Sequence, residues 1–142
     1  MEQVQYVYTT GMDEAELERR LREGEHGVVA LAEDSEAYGV VLSYHYDGER
    51  LLLRVSDDGD SRKTEFLEAT DTATLVCHEA TTDDSWSIYV RGPLAPWEGE
   101  ADEATLNHWF PPFRLFDEAV ADVAFTVYEL GMDSVVGRRT VR

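Results

Sequence analysis

Residues Ala37–Ser56 read AYGVVLSYHYDGERLLLRVS. Two apolar runs, rich in Val, Leu and Tyr, flank the dipeptide Asp47-Gly48. That dipeptide between such runs is a strong short-range signal for a β-hairpin, because Asp and Gly accept the backbone angles a tight turn needs. The stretch therefore predicts two antiparallel strands. Every neighbouring segment has to be fitted to a sheet that starts here.

Working outward, HGVVALAED (His26–Asp34) is a further β-branched run joined to the hairpin by a short acidic turn. Ahead of it, MDEAELERRLREG (Met12–Gly24) has helical spacing. Asp13 can cap it with Glu16 three residues on, Leu17 and Leu21 share one face, and Gly24 stops it. Residues 4–9 suggest a short strand. Downstream, SRKTEFLEAT (Ser61–Thr70) reads as a short helix offering Phe66 and Leu67 to the core, and TATLVCHEA (Thr72–Ala80) as a strand. In WSIYVRGPLAPW (Trp86–Trp97), Trp86, Ile88 and Val90 alternate with Ser87, Tyr89 and Arg91, the pattern of a strand buried on one face. Gly92-Pro93 marks a bulge or bend. Asp102 opens a helix that Pro111 and Pro112 end. A second short helix is expected over Phe113–Asp122, and VAFTVYEL (Val123–Leu130) alternates again, with Val123, Phe125 and Val127 on one face. Strands joined mostly by hairpins, with few helical crossovers, favour a single domain over residues 1–142. The fold class is mainly β (α+β): a six- to seven-stranded antiparallel barrel or sandwich with short flanking helices.

Composition narrows the function. Among 142 residues, 30 are acidic and 12 basic, a formal net charge of −18. Nucleic acid and anionic membrane both reward a basic surface, so neither is an expected partner. The acids are spread along the chain, and arginine almost replaces lysine. Such a coat resembles proteins from organisms with a salt-filled cytoplasm, and predicts stability that rises with salt. One cysteine, Cys77, excludes an internal disulfide. The N-terminal MEQVQYVYTT shows no signal peptide, and no run reaches the roughly 20 apolar residues a membrane helix needs. A cytoplasmic protein is expected. The four histidines show no metal-ligand spacing, and no GxSxG, GxGxxG or Walker-type motif occurs. His45 and His78 fall in strands as partly buried, hydrogen-bonded structural residues.

One motif stands out. VSDDGDSRKTEFL (Val55–Leu67) contains the chain's single lysine, Lys63, beside Arg62 at a helix start. Cations are unfavourable at that end of the helix dipole. Backbone N–H groups there form an anion site, and Arg and Lys both suit phosphate. The alternative is that Arg62 and Lys63 pair with Asp57, Asp58 or Asp60. Trp109, Phe110, Phe113 and Phe116 crowd two prolines, as a helix-capped barrel end, a dimer interface or the wall of a ligand cleft.

With these residues in view, the run from Ala37 to Ala80 followed by WSIYVRGPL resembles the FMN-binding split-barrel proteins related to pyridoxamine 5'-phosphate oxidase. The hairpin, the Ser-Arg-Lys element after it and the terminal VYELGMDSVVGRR carry the likeness, over roughly residues 13–139. Within that family the acidic coat is similar to small haloarchaeal members. The resemblance implies a Greek-key split β-barrel and a homodimer with two FMN sites at the subunit interface. It implies that Ser61, Arg62 and Lys63 hold the FMN phosphate, that Val40, Val41, Leu42 and Ser43 offer backbone groups along the flavin ring, and that Ser56 and Asp57 lie near the phosphate end. Trp86 and Ser87 correspond to a flavin-contacting position. The oxidase's arginine at the start of the flavin strand is absent, Tyr38-Gly39 standing there, and its C-terminal Trp and Arg-Leu-x-Pro element is replaced by GRRTVR. The implied function is thus an FMN-dependent oxidoreductase acting with an unknown small-molecule substrate or electron donor, and not pyridoxamine phosphate oxidation itself. The alternatives are a non-catalytic dimeric flavin- or phospholigand-binding module, and a barrel that has lost flavin.

Overall fold

The structure is a computed structural model. It describes residues 9–57, 61–111 and 124–141, and omits the side chains of Asp57, Ser61 and Ala124. The elements run β1 (Thr9–Gly11), α1 (Glu14–Glu23), β2 (His26–Glu33), β3 (Glu36–Tyr46), β4 (Leu51–Asp57), α2 (Ser61–Ala69), β5 (Thr72–Ala80), β6 (Ser85–Pro96), α3 (Glu103–Trp109), β7 (Ala124–Leu130) and β8 (Ser134–Thr140). The strand expected over 4–9 starts at Thr9, the only one of those residues described. Phe113–Asp122, Val123 and Asp58–Asp60 lie outside the described residues.

All strand pairs are antiparallel, in the order β1-β8-β6-β5-β2-β3-β4-β7, and β6 also pairs with β7. That last pairing closes a six-stranded barrel, with β8 and β1 extending the sheet beyond it. The expected mainly-β split barrel is the fold.

Local chemistry explains the joints. The β2–β3 hairpin turns on Asp34 and Ser35, whose φ values are 47° and 69°. Positive φ at both central residues is what a two-residue hairpin of this hand requires. The β3–β4 loop has four residues, since Tyr46 pairs with Leu51. Asp47 Oδ1 accepts hydrogen bonds from the N–H groups of Glu49 (2.8 Å) and Arg50 (2.7 Å), and these hold its carboxyl below the usual range. Gly48 takes a φ of 99°. Around Gly92, β6 changes partner: up to Arg91 it lies between β5 and β8, the β5 ladder ends at Pro93, and Leu94–Pro96 pair with β7. The β7–β8 connection crosses there, and a Cβ on Gly92 would lie 1.8 Å from the Gly131 carbonyl oxygen.

The barrel interior holds Val29, Leu31, Leu42, Leu51, Leu53, Leu75, Ile88 and Val90, all buried. Helix α1 plugs one end. Asp13 caps it by accepting from Glu16 N–H at 2.8 Å; Leu21 enters the core, and the buried Tyr44 hydroxyl donates to the Leu21 carbonyl at 2.9 Å. Glu16 accepts from Arg20 and Arg139, both at 3.0 Å, tying α1 to β8. A second apolar layer lies outside the barrel. Helix α3 covers the outer face of β3, β4 and β7, with His45 stacked on Trp109 at 4.9 Å and Phe110 fully buried. On β7, Tyr128 and Leu130 face the core, and Phe125 and Val127 sit on the opposite, outward side. No described helix is long and apolar enough to cross a membrane.

Candidate functional site

The barrel wall has a notch, and the strand register shows where. Strand β4 pairs with β3 only between Ser43↔Arg54 and Tyr46↔Leu51. Beyond that, Val55–Asp57 pair with β7. Among the described residues, Glu36–Leu42 of β3 therefore has a strand partner on the β2 side alone. Helix α2 begins beside this opening, and Phe66 on it stacks on Tyr38 of β3 at 5.0 Å.

Along the notch, Val40 and Leu42 turn inward to the core, while Val41 is 39% exposed on the outside and Ser43 is buried. The backbone edge of Val40–Leu42 faces the opening, and Ser43 closes its end by pairing with Arg54. Ser56 stands on the outer side of β4, and Lys63 Nζ donates to its Oγ at 3.4 Å. Lys63 is 5% exposed, an uncommon depth for an ammonium group. The first turn of α2 carries no acid to offset Arg62 and Lys63, in contrast to α1 with Glu14 and Glu16. Arg62 takes a different course. Its guanidinium is exposed, pairs with Glu36 at 3.7 Å and leans toward the Phe66 ring. The backbone of Asp57 ends β4 and that of Ser61 starts α2.

Sequence reasoning passed over Arg54. It lies on the same outer side of β4 as Ser56, is 8% exposed, and its Nη1 donates to Asn107 Oδ1 at 2.9 Å. Its guanidinium stacks 3.9 Å from the Phe125 ring. Burial lowers its pKa, opposed by the charge of Glu103. Period-2 alternation marks Arg54 as outward-facing, but the burial comes from α3, which nothing in LLLRVS announces.

Trp86 and Ser87 do not join this group. Strands β5 and β2 separate β6 from β3, a displacement of about 14 Å at ordinary strand spacing. Trp86 packs inward under Arg20, whose guanidinium lies 4.6 Å above the indole. Ser87 faces outward in a pocket of about 360 Å³ that also includes Val76, His78, Tyr89 and Arg138. His78, expected to be partly buried, is exposed there, because its side of β5 is the outer one. Arg138 is fixed by two bonds to Thr9, 2.9 Å to Oγ1 and 2.8 Å to the carbonyl. His45 is half-buried against α3, and burial lowers its pKa.

The family described as pyridoxamine 5'-phosphate oxidase matches residues 13–139. No curated protein matches the sequence. Among solved structures, an FAD-binding protein from Mesorhizobium loti superposes with a TM-score of 0.70 at 17% identity, over 96% of this chain and 100% of that one. The FAD-binding protein from Mycobacterium smegmatis gives 0.66 at 16%, over 94% and 100%. The FAD- and heme-binding protein from the same organism gives 0.63 at 15%, over 94% and 74%. At such identities the likeness is one of fold.

Proposed function

The chain belongs to the pyridoxamine 5'-phosphate oxidase family, and from that premise we propose that it is an FMN-binding homodimer serving as an oxidoreductase for a small molecule. The observation that carries the reading is the buried Lys63 at the start of α2, beside the open edge of β3. The chain's single lysine sets its ammonium inside the protein at a helix start, where a cation and backbone N–H groups together suit a phosphate. A phosphate ester fits that donor set: the ammonium, the Ser56 hydroxyl, and the N–H groups at the helix start, where Ser61, Arg62 and Lys63 stand. The open backbone edge of Val40–Leu42 on β3, with Ser43 at its closed end, supplies donors and acceptors for a flat heterocycle, and Asp57 follows Ser56 at the phosphate end of β4. When bound, flavin supplies the electron chemistry; the protein's residues fix its orientation and charge environment.

A second copy completes the site in this reading. Val41, Val28, Val76, Tyr89 and Val136 form one cross-strand row on the outer sheet face. Tyr89 is 48% and Val136 51% exposed. A row of five strands is about 19 Å wide, an apolar surface that marks an interaction site. Val41 belongs both to this row and to the notch, so a two-fold partner packed on the row brings its own Ser87 and Trp86 strand toward the notch.

Titration of purified protein with FMN, FAD and riboflavin tests the reading. Saturable binding of FMN, with a band that bleaches with reductant and recovers as an acceptor turns over, is the expected result. Binding without turnover reduces the function to a flavin-holding module. Failure to bind any flavin in molar KCl removes the proposal.

A further inference from the structure

We propose that Arg54, and not Arg62, is the principal cationic partner of Lys63 at the bound phosphate. The reading of that phosphate as part of a flavin rests on the proposed function; the anion site itself does not.

The geometry is carried by one cross-strand pair. Ser56 on β4 stands directly opposite Phe125 on β7. Lys63 reaches Ser56 from α2, its Nζ 3.4 Å from the hydroxyl. Arg54, two residues earlier on the same side of β4, lays its guanidinium on Phe125 at 3.9 Å. Two cations from different elements thus lean toward the same pair, and both are more than nine-tenths buried, at 8% and 5% exposure.

Arg54 is underused where it stands. A guanidinium has five N–H donors. Asn107 Oδ1 takes one, and among the described residues nothing accepts from Nε. The carboxylate that bears on it, Glu103, acts through space and makes no ion pair with it. A buried charge with unfilled donors is unfavourable unless a charged acceptor completes it. A phosphate monoester has the right charge and acceptor geometry: the guanidinium fork grips two oxygens while the ammonium acts as a point charge on the third. The Phe125 and Phe110 rings keep the fork oriented by cation–π contact. Arg62, exposed and paired with Glu36, has a carboxylate already and water around it, so it gains less from the same ligand.

The experiment compares FMN with riboflavin, which lacks the phosphate, in wild-type protein and in Arg54→Met at fixed ionic strength. Loss of one charge-assisted contact lowers FMN affinity about 10- to 100-fold, with riboflavin affinity held within about twofold. Arg62→Gln lowers FMN affinity less than Arg54→Met. Unchanged FMN affinity in Arg54→Met, or equal losses for both ligands, overturns the proposal, the second because it marks Arg54 as a prop for α3 alone. If Arg54→Met does not fold, Arg54→Lys is read in the same way: the FMN preference falls if the fork matters and persists if the proposal is wrong. A separate arm uses inorganic phosphate. It raises the unfolding midpoint of wild-type protein above that in chloride of equal ionic strength, and does so less in the variant. Protein stabilised by phosphate through Arg54 but blind to flavins upholds this site and overturns the flavin reading; no stabilisation in the wild type overturns the site.

Discussion

Arg54 and Arg62 show what a single residue's sequence context does and does not disclose. The doublet Arg62-Lys63 is conspicuous because a helix start repels cations, yet only Lys63 turns into the protein. Arg54 lies inconspicuously in LLLRVS, and its burial depends on α3, which is 49 residues further on by the start of the helix (103 minus 54). Local patterning reports direction; it does not report what lies on top. The same limit applies at the β2–β3 turn. An acidic turn was expected, but the positive φ of Ser35, 69°, follows from the register of Glu33 on Glu36. An L-residue in that region carries about 1–2 kcal/mol of strain, and glycine returns part of the gain as unfolded-chain entropy. Ser35→Gly therefore stabilises the protein by about 0.5–1 kcal/mol, read as a higher urea midpoint at unchanged slope. A lower midpoint would show that the serine side chain contributes something this turn does not reveal.

Strands were legible where one face is polar. In β6, Trp86, Ile88 and Val90 point inward as their alternation indicates. In β7 the alternation was equally clear but silent on direction, because both faces are covered: Tyr128 and Leu130 by the barrel, Phe125 and Val127 on the side where α3 packs. Barrel closure was not readable either, since the β6–β7 pairing joins residues far apart in the chain and adds to strands already paired elsewhere. Its one trace is Gly92-Pro93. The glycine is needed because two backbones touch at this crossing. An alanine Cβ would meet the Gly131 carbonyl oxygen at 1.8 Å and its carbon at 2.5 Å, and backbone, unlike a side chain, has no rotamer to escape into. Gly92→Ala accordingly costs at least about 2 kcal/mol, or releases the β6–β7 edge and with it the closed barrel. Denaturant titration measures the loss. Stability within about 0.5 kcal/mol of wild type would mean the crossing has slack and the partner switch at Gly92 is not tight.

Charge and apolar surface compete over the whole molecule. With a formal charge of −18, two copies brought together repel over distances comparable to the Debye length, about 10 Å at 0.1 M salt and about 3 Å at 1 M. In the proposed dimer the outer row from Val41 to Val136, exposed in the single chain, pulls the other way: covering it would bury area whose attraction salt strengthens or leaves intact. Salt therefore acts twice in the same direction, by relieving repulsion within each barrel and between barrels. The expected behaviour is monomer or partly unfolded chain in about 0.1 M KCl and a folded dimer in about 2 M, followed by sedimentation alongside a thermal melt. Placing a carboxylate in the row separates the two contributions. Val136→Glu adds one charge among 30 acids, too little to alter the salt dependence of folding, but it puts a carboxylate beside Tyr89 at the β8 end of the apolar row. It should leave the melting curve rising with salt as before while holding the protein monomeric at every concentration of KCl. A variant that still dimerises would place the subunit contact elsewhere on the barrel, and a wild-type melt indifferent to salt would show that the acidic coat is matched by attractions within the fold.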